Sequence, residues 1–216
     1  MEKSTNIVKK SSHQISFAIY GLLSIIFGGL GDLLAYLMYP EYNFMRRAVS
    51  SLCLGPGGLL FQIGTVISGL FALPFLIYLE KTFNEEEINK NLRIYVKIMG
   101  IISCISFIIL GLFCGSNVII AYIHGINAVI SWITGFFYIT LFNVLFLKSP
   151  KYSKFVAYSG FIVTLTLALL MVTFILHLIP DLRFLMRILP SIEWLNTIAL
   201  IFWYLIVSTY IIYKRI

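Results

Sequence analysis

Asp32, His124, His177 and Glu193 are ionisable side chains set in long apolar runs of this 216-residue chain. Such groups are costly in an apolar surrounding and mark ligand, ion or proton sites unless a structural partner accounts for them. Imidazoles and carboxylates together suit a transition-metal centre, where a metal-bound water is activated for hydrolysis and a carboxylate acts as general base. His177 and Asp181 extend this reading, because residues four apart share a helix face. Against it, Pro180 lies between them and the chain has no HExxH or paired-histidine motif. Without a metal, Asp32, Gln62, His124, Asn127, His177 and Glu193 would form a polar pocket for a lipid headgroup or small ligand. Arg46, Arg47, Arg183 and Arg187 would then stand at its rim, where guanidinium groups can hold an anion.

Each candidate also has a structural reading. Asp32 and His124 would serve equally well as an ion pair between helices, and such pairs by themselves prove neither stability nor function. Glu193 follows Ser191 at what reads as a helix start, where the dipole favours an anion, and Asp181 suits the cap of a short helix. His177 suits a hydrogen-bonded position at headgroup level.

The spacing places these residues on helices. His124, Asn127, Ser131, Thr134 and Tyr138 recur at steps of three and four, and Tyr20, Ser24, Gly28 and Asp32 recur at steps of four. Each set forms one helical stripe. Lipid offers no hydrogen-bond partner, so both stripes are expected to face the interior of a bundle.

The elements that must carry those stripes follow from composition. Hydrophobic residues make up 60% of the chain and charged residues 12%, about half the charged share of a soluble domain. That excludes a soluble globular protein. The net charge of +7 does not indicate nucleic acid, since no basic face with stacking aromatics lies outside the apolar runs. Six runs are long enough to span a bilayer: residues 16–39, 57–79, 94–113, 119–147, 154–179 and 191–213. The expected fold is all-α, a single six-transmembrane-helix bundle over residues 1–216, with a short interfacial helix at 181–189 whose Arg183 and Arg187 share a face. Pro74 falls inside the second run and should kink it.

Of the 16 basic residues, 12 fall on the side that holds both termini, which makes that side cytoplasmic; a multi-pass protein of the plasma (cell) membrane is the expectation. Asp32, Gln62, His124, His177 and Glu193 then all lie toward the opposite, outer side. The polar N-terminus leads into an apolar run of signal-anchor length. Thr82 followed by Glu85 resembles a capping box for the third helix. Cys53 and Cys114 both fall outside, so a disulfide between them is compatible with this topology, while Cys104 reads as packing.

The segment YPEYNFMRRAVSSLCLGPGGLLFQIG, residues 39–64, resembles the signature region of the domain-of-unknown-function 998 family of integral membrane proteins. Val49, Ser50, Ser51 and Leu52 stand at the family's Ile-Ser-Asp-Leu motif, followed by Gly55 and Pro56, then Phe61 and Gln62 at its Phe-Asn pair. His124 resembles the family's histidine at the start of the fourth helix, and Glu193 with Trp203 resembles its Glu and Trp near the last. Ser51 replaces an aspartate of the pattern, and Trp194 replaces an arginine. If those two residues serve an activity, this chain has lost or altered it. The resemblance implies a six-span fold more than a function; the layout is also similar to that of the Frag1/DRAM/Sfk1 proteins of membrane homeostasis.

Three function classes are carried forward. The first is ligand or headgroup binding, with membrane lipids as partners and no cofactor. The alternative is a membrane-embedded, metal-assisted lipid hydrolase or transferase using His124, His177, Asp32 and Glu193. A transporter is third, since no inverted repeat is visible.

Overall fold

The computed structural model describes the backbone of residues 2–83 and 88–216 and, within those ranges, side chains from residue 17 onward. Among the described residues there are six long helices and no strand: α1 (Glu2–Leu37), α2 (Gly58–Lys81), α3 (Lys90–Leu112), α4 (Val118–Lys148), α5 (Lys154–Leu176) and α6 (Leu189–Lys214). All six contain a window long and apolar enough to cross a bilayer, that of α1 being Phe17–Leu37. The chain is therefore a multi-pass membrane protein. Expected spans and observed helices agree to within a few residues at every end but one: α1 continues back to Glu2, through the polar stretch.

The helix starts have local causes. Asn89 accepts a hydrogen bond from the Asn91 N–H at 2.8 Å, and Asn117 accepts one from the Ile119 N–H at 2.9 Å, so each satisfies a donor that the first turn leaves open. The expected capping box is corrected on this point: Asn89, not Thr82, caps α3. Thr82 ends α2 instead, donating to the Leu79 carbonyl at 2.7 Å and pairing with the Tyr152 hydroxyl at 2.6 Å. Glu85 lies outside the described residues. α2 runs through Pro74 as one helix.

Each helix packs on its neighbours in the chain, and α6 closes the ring against α1. The α1–α2 seam is the tightest: a Cβ on Gly31 would lie 2.8 Å from the Gly64 Cα, and one on Gly64 would lie 2.7 Å from the Gly31 Cα. Only glycine at both positions lets the backbones touch, the usual device where lipid supplies no hydrophobic drive. Toward the termini the middle of the ring is filled by Phe75, Phe83, Phe142, Phe146 and Trp203, all fully buried. Toward the other end it is not filled, and there the polar residues gather.

The loop between α1 and α2 folds over that end. A 3₁₀ turn, Val49–Leu54, is pinned by a disulfide between Cys53 and Cys114, with Cα atoms 6.0 Å apart. Disulfides persist outside the reducing cytosol, so the bond supports the charge-based orientation. Residues Pro180–Arg187 also form a 3₁₀ helix, not an α-helix. With three residues per turn, positions three apart eclipse, so Arg183 and Arg187 do not share a face as α-helical spacing suggested. Leu182 and Leu185 do share one, and it is the less exposed side.

Candidate functional site

Six helices leave a central cavity of about 180 Å³ near the end covered by the α1–α2 loop. Asp32 of α1 and Glu193 of α6 are both on its wall. Each arrives there for a helical reason. Asp32 is the outermost member of the Ser24, Gly28, Asp32 stripe, all three of which line the cavity, while Tyr20 of the same stripe stacks on Phe71 with centroids 5.8 Å apart. Glu193 sits in the second turn of α6, which begins at Leu189 with Ile188 as cap. The expectation that Ser191 starts this helix is therefore corrected; its hydroxyl reaches the Met45 carbonyl at 3.4 Å. Asp181 likewise follows Pro180 in the first turn of its 3₁₀ helix, whose cap position is Ile179.

The two acids differ in what they meet. Glu193 is 8% exposed and its Oε1 accepts the Ser50 N–H at 3.1 Å, which ties the covering loop to α6. Asp32 receives no hydrogen bond and no cation from any described residue. Below them the wall is neutral and mostly apolar, with hydroxyls and one amide set into it. Ser24 and Ser68 share a hydrogen bond of 3.1 Å, Ser103 donates to the Ser131 carbonyl at 3.3 Å, and Asn196 accepts from Thr166 at 2.9 Å. Asn196 is only 5% exposed, and its amide N–H groups have no acceptor among the described residues. Tyr138 and Tyr204 line the wall where it meets the aromatic core. Among the described residues, no Lys, Arg or His lines the cavity.

The remaining sequence candidates lie elsewhere. His124 is bound through Nδ1 to the carbonyls of Leu110 at 3.0 Å and Phe113 at 3.1 Å, where it satisfies the open C-terminal end of α3. His177 is the C-cap of α5 and bonds the Phe174 carbonyl within the same turn. Gln62 donates to the Cys114 carbonyl at 3.2 Å, beside the disulfide, and Asn127 donates to the Ile123 carbonyl one turn back, at 2.9 Å. The structure thus brings together Asp32 and Glu193 of the six pocket candidates, and leaves Gln62, His124, Asn127 and His177 off the lining. For the metal reading, no group of three His, Cys, Asp or Glu among the described residues is placed to hold an ion. Of the four rim candidates, Arg46, Arg183 and Arg187 are exposed, while Arg47 lies over the Tyr39 ring at 5.0 Å and donates to its hydroxyl.

Sequence reasoning passed over Ser50, Thr65, Ser68, Ser103 and Thr197, which also line the cavity. Serine and threonine are common in membrane helices, where they return their hydroxyl to the preceding turn, as Thr134 does to the Ile130 carbonyl at 2.6 Å. No sequence signal separates such residues from those that face a ligand. The stripe of α4 did carry information: Ser131 and Tyr138 are on the lining, in register with the expected face.

A family model described as Protein of unknown function (DUF998) matches residues 19–212. The chain belongs to that family. No curated protein and no solved structure matches it. In this DUF998 protein Ser51 and Trp194 meet at one point, the Tyr42 side chain. Trp194 donates its indole N–H to the Tyr42 hydroxyl at 3.0 Å, and Ser51 lies beside the same hydroxyl. Tyr42 in turn donates to the carbonyls of Ala48 at 2.7 Å and Arg47 at 3.0 Å. A neutral cluster of Tyr42, Ser51 and Trp194 thus holds the loop against α6.

Proposed function

We propose that this protein binds a small ligand, or the headgroup of a lipid, in the cavity under the α1–α2 loop. The observation that carries the reading is the lining itself: two carboxylates, several hydroxyls and an underused amide set in a mostly apolar wall, with no basic side chain among the described residues. A carboxylate in a low-dielectric site without a cation is strongly disfavoured. The arrangement therefore favours a ligand that brings positive charge or several hydrogen-bond donors. An anionic headgroup, for which Arg46, Arg47, Arg183 and Arg187 would form the rim, fits this wall poorly. In the proposed orientation the cavity lies in the outer half of a cell membrane.

The hydrolase reading has less support, because His124 and His177 are engaged by backbone carbonyls away from both acids. The test is native mass spectrometry of protein taken from its own membrane, beside Asp32→Asn and Glu193→Gln. A co-purifying basic or donor-rich compound, lost in both variants, is expected. An acidic lipid retained in all three proteins would contradict the proposal.

A further inference from the structure

The seam between α1 and α6 is open where that between α1 and α2 is closed. A Cβ placed on Gly29 would have only the Ile201 Cδ1 near it, at 4.0 Å, whereas two residues further on Gly31 meets backbone within 3 Å. On the outside of the open seam lies a groove of about 250 Å³. Gly29, Asp32, Thr197 and Ile201 border both this groove and the central cavity. Asp32, the acid without a partner among the described residues, thus stands at the junction of the two spaces.

The walls of the groove are apolar and turned to lipid: Leu33 and Ile198 are 50% and 47% exposed. At its loop end are Tyr36 and Trp194, residue types that favour the headgroup level of a bilayer. Water-side access to the cavity runs past the loop that Ser50, Tyr42 and the disulfide hold in place. On the lipid side the groove shares Gly29, Asp32, Thr197 and Ile201 with the cavity.

We propose that the ligand is a cationic amphiphile that enters sideways from the bilayer between α1 and α6. Its ammonium group rests against Asp32 and Glu193, and its hydrocarbon chain leaves through the groove beside Ile198 and Leu33. Charge complementarity selects the head, and the apolar, lipid-facing groove selects a tail. The inference rests on the cavity being a binding site, and it adds the route and the substrate class, a long-chain amine.

The test compares butylamine with octadecylamine on the full chain in phosphatidylcholine nanodiscs, for the unaltered protein and for Ile198→Trp, Leu33→Trp and Asp32→Asn. The tryptophans fill the groove from α6 and from α1 in turn, so misfolding of one variant leaves the other to decide. Each should lower the ratio of octadecylamine to butylamine affinity at least tenfold, and Asp32→Asn should weaken both amines at least tenfold. An unchanged ratio in both tryptophan variants, with both amines still sensitive to Asp32→Asn, would overturn the lateral route and leave the cavity reading standing. Binding of neither amine to the unaltered protein would overturn the amine as ligand class and the lateral route with it.

Discussion

Two kinds of acid sit within the bundle, and they behave differently. Glu80, near the inner end of α2, is 5% exposed and is held by Arg93 at 2.8 Å and Lys97 at 3.8 Å. Asp32 has nothing comparable among the described residues. The first acid is a joint between α2 and α3; removing its nearer cation leaves the buried charge to Lys97 alone. Arg93→Ala should therefore destabilise the protein by about 1.5 to 3 kcal/mol, read as a lower thermal unfolding temperature in detergent. Asp32→Asn should have little effect on that temperature, or raise it, since it removes a charge that no described side chain neutralises. Asp32 and Glu193 were legible as candidates because charge inside an apolar run is rare. The histidines lie off the cavity lining, and sequence does not separate their roles for a chemical reason: an imidazole can also complete the hydrogen bonds of a helix end, as His124 does for α3, with the same spacing.

At the scale of elements, hydropathy and charge defined the spans to within a few residues, because the length of an apolar run is set by bilayer thickness. Which faces meet was not readable. The Ser24, Gly28 and Asp32 stripe marked the interior face of α1, yet its backbone-to-backbone contact with α2 lies at Gly31 and Gly64, which no pattern in α1 alone distinguishes. Gly31→Ala should separate the two helices and cost about 1 to 3 kcal/mol, seen as earlier thermal unfolding, whereas Gly29→Ala should be tolerated. The covering loop offers a pH test. Burial pushes the Tyr42 phenol from its ordinary value of 10.0 up to about 12, so folding favours the neutral, donating form. Its contribution is complete below pH 10 and is lost as the pH climbs through about 12. Trp194 fluorescence should report loosening of the loop over that interval, and Tyr42→Phe should remove the alkaline step. Reduction of Cys53–Cys114 should loosen the same loop without loss of helix signal in circular dichroism.

For the whole molecule, the ring of six helices explains why a cavity exists at one end only. Large aromatic side chains fill the ring near the termini, while Gly28, Ser24, Ser68 and Ser103 are too small to fill it near the loop. An unfilled, mostly apolar centre that carries two carboxylates under a disulfide-pinned cover is a costly arrangement unless something occupies it. The most direct measurement is a calorimetric titration of the protein in nanodiscs with butylamine and with butyrate, beside an Asp32→Asn, Glu193→Gln double variant. The account predicts saturable binding of the amine, none of the carboxylate, and at least a tenfold loss of amine affinity in the double variant. Equal binding of amine and carboxylate, or amine binding indifferent to both substitutions, would contradict it.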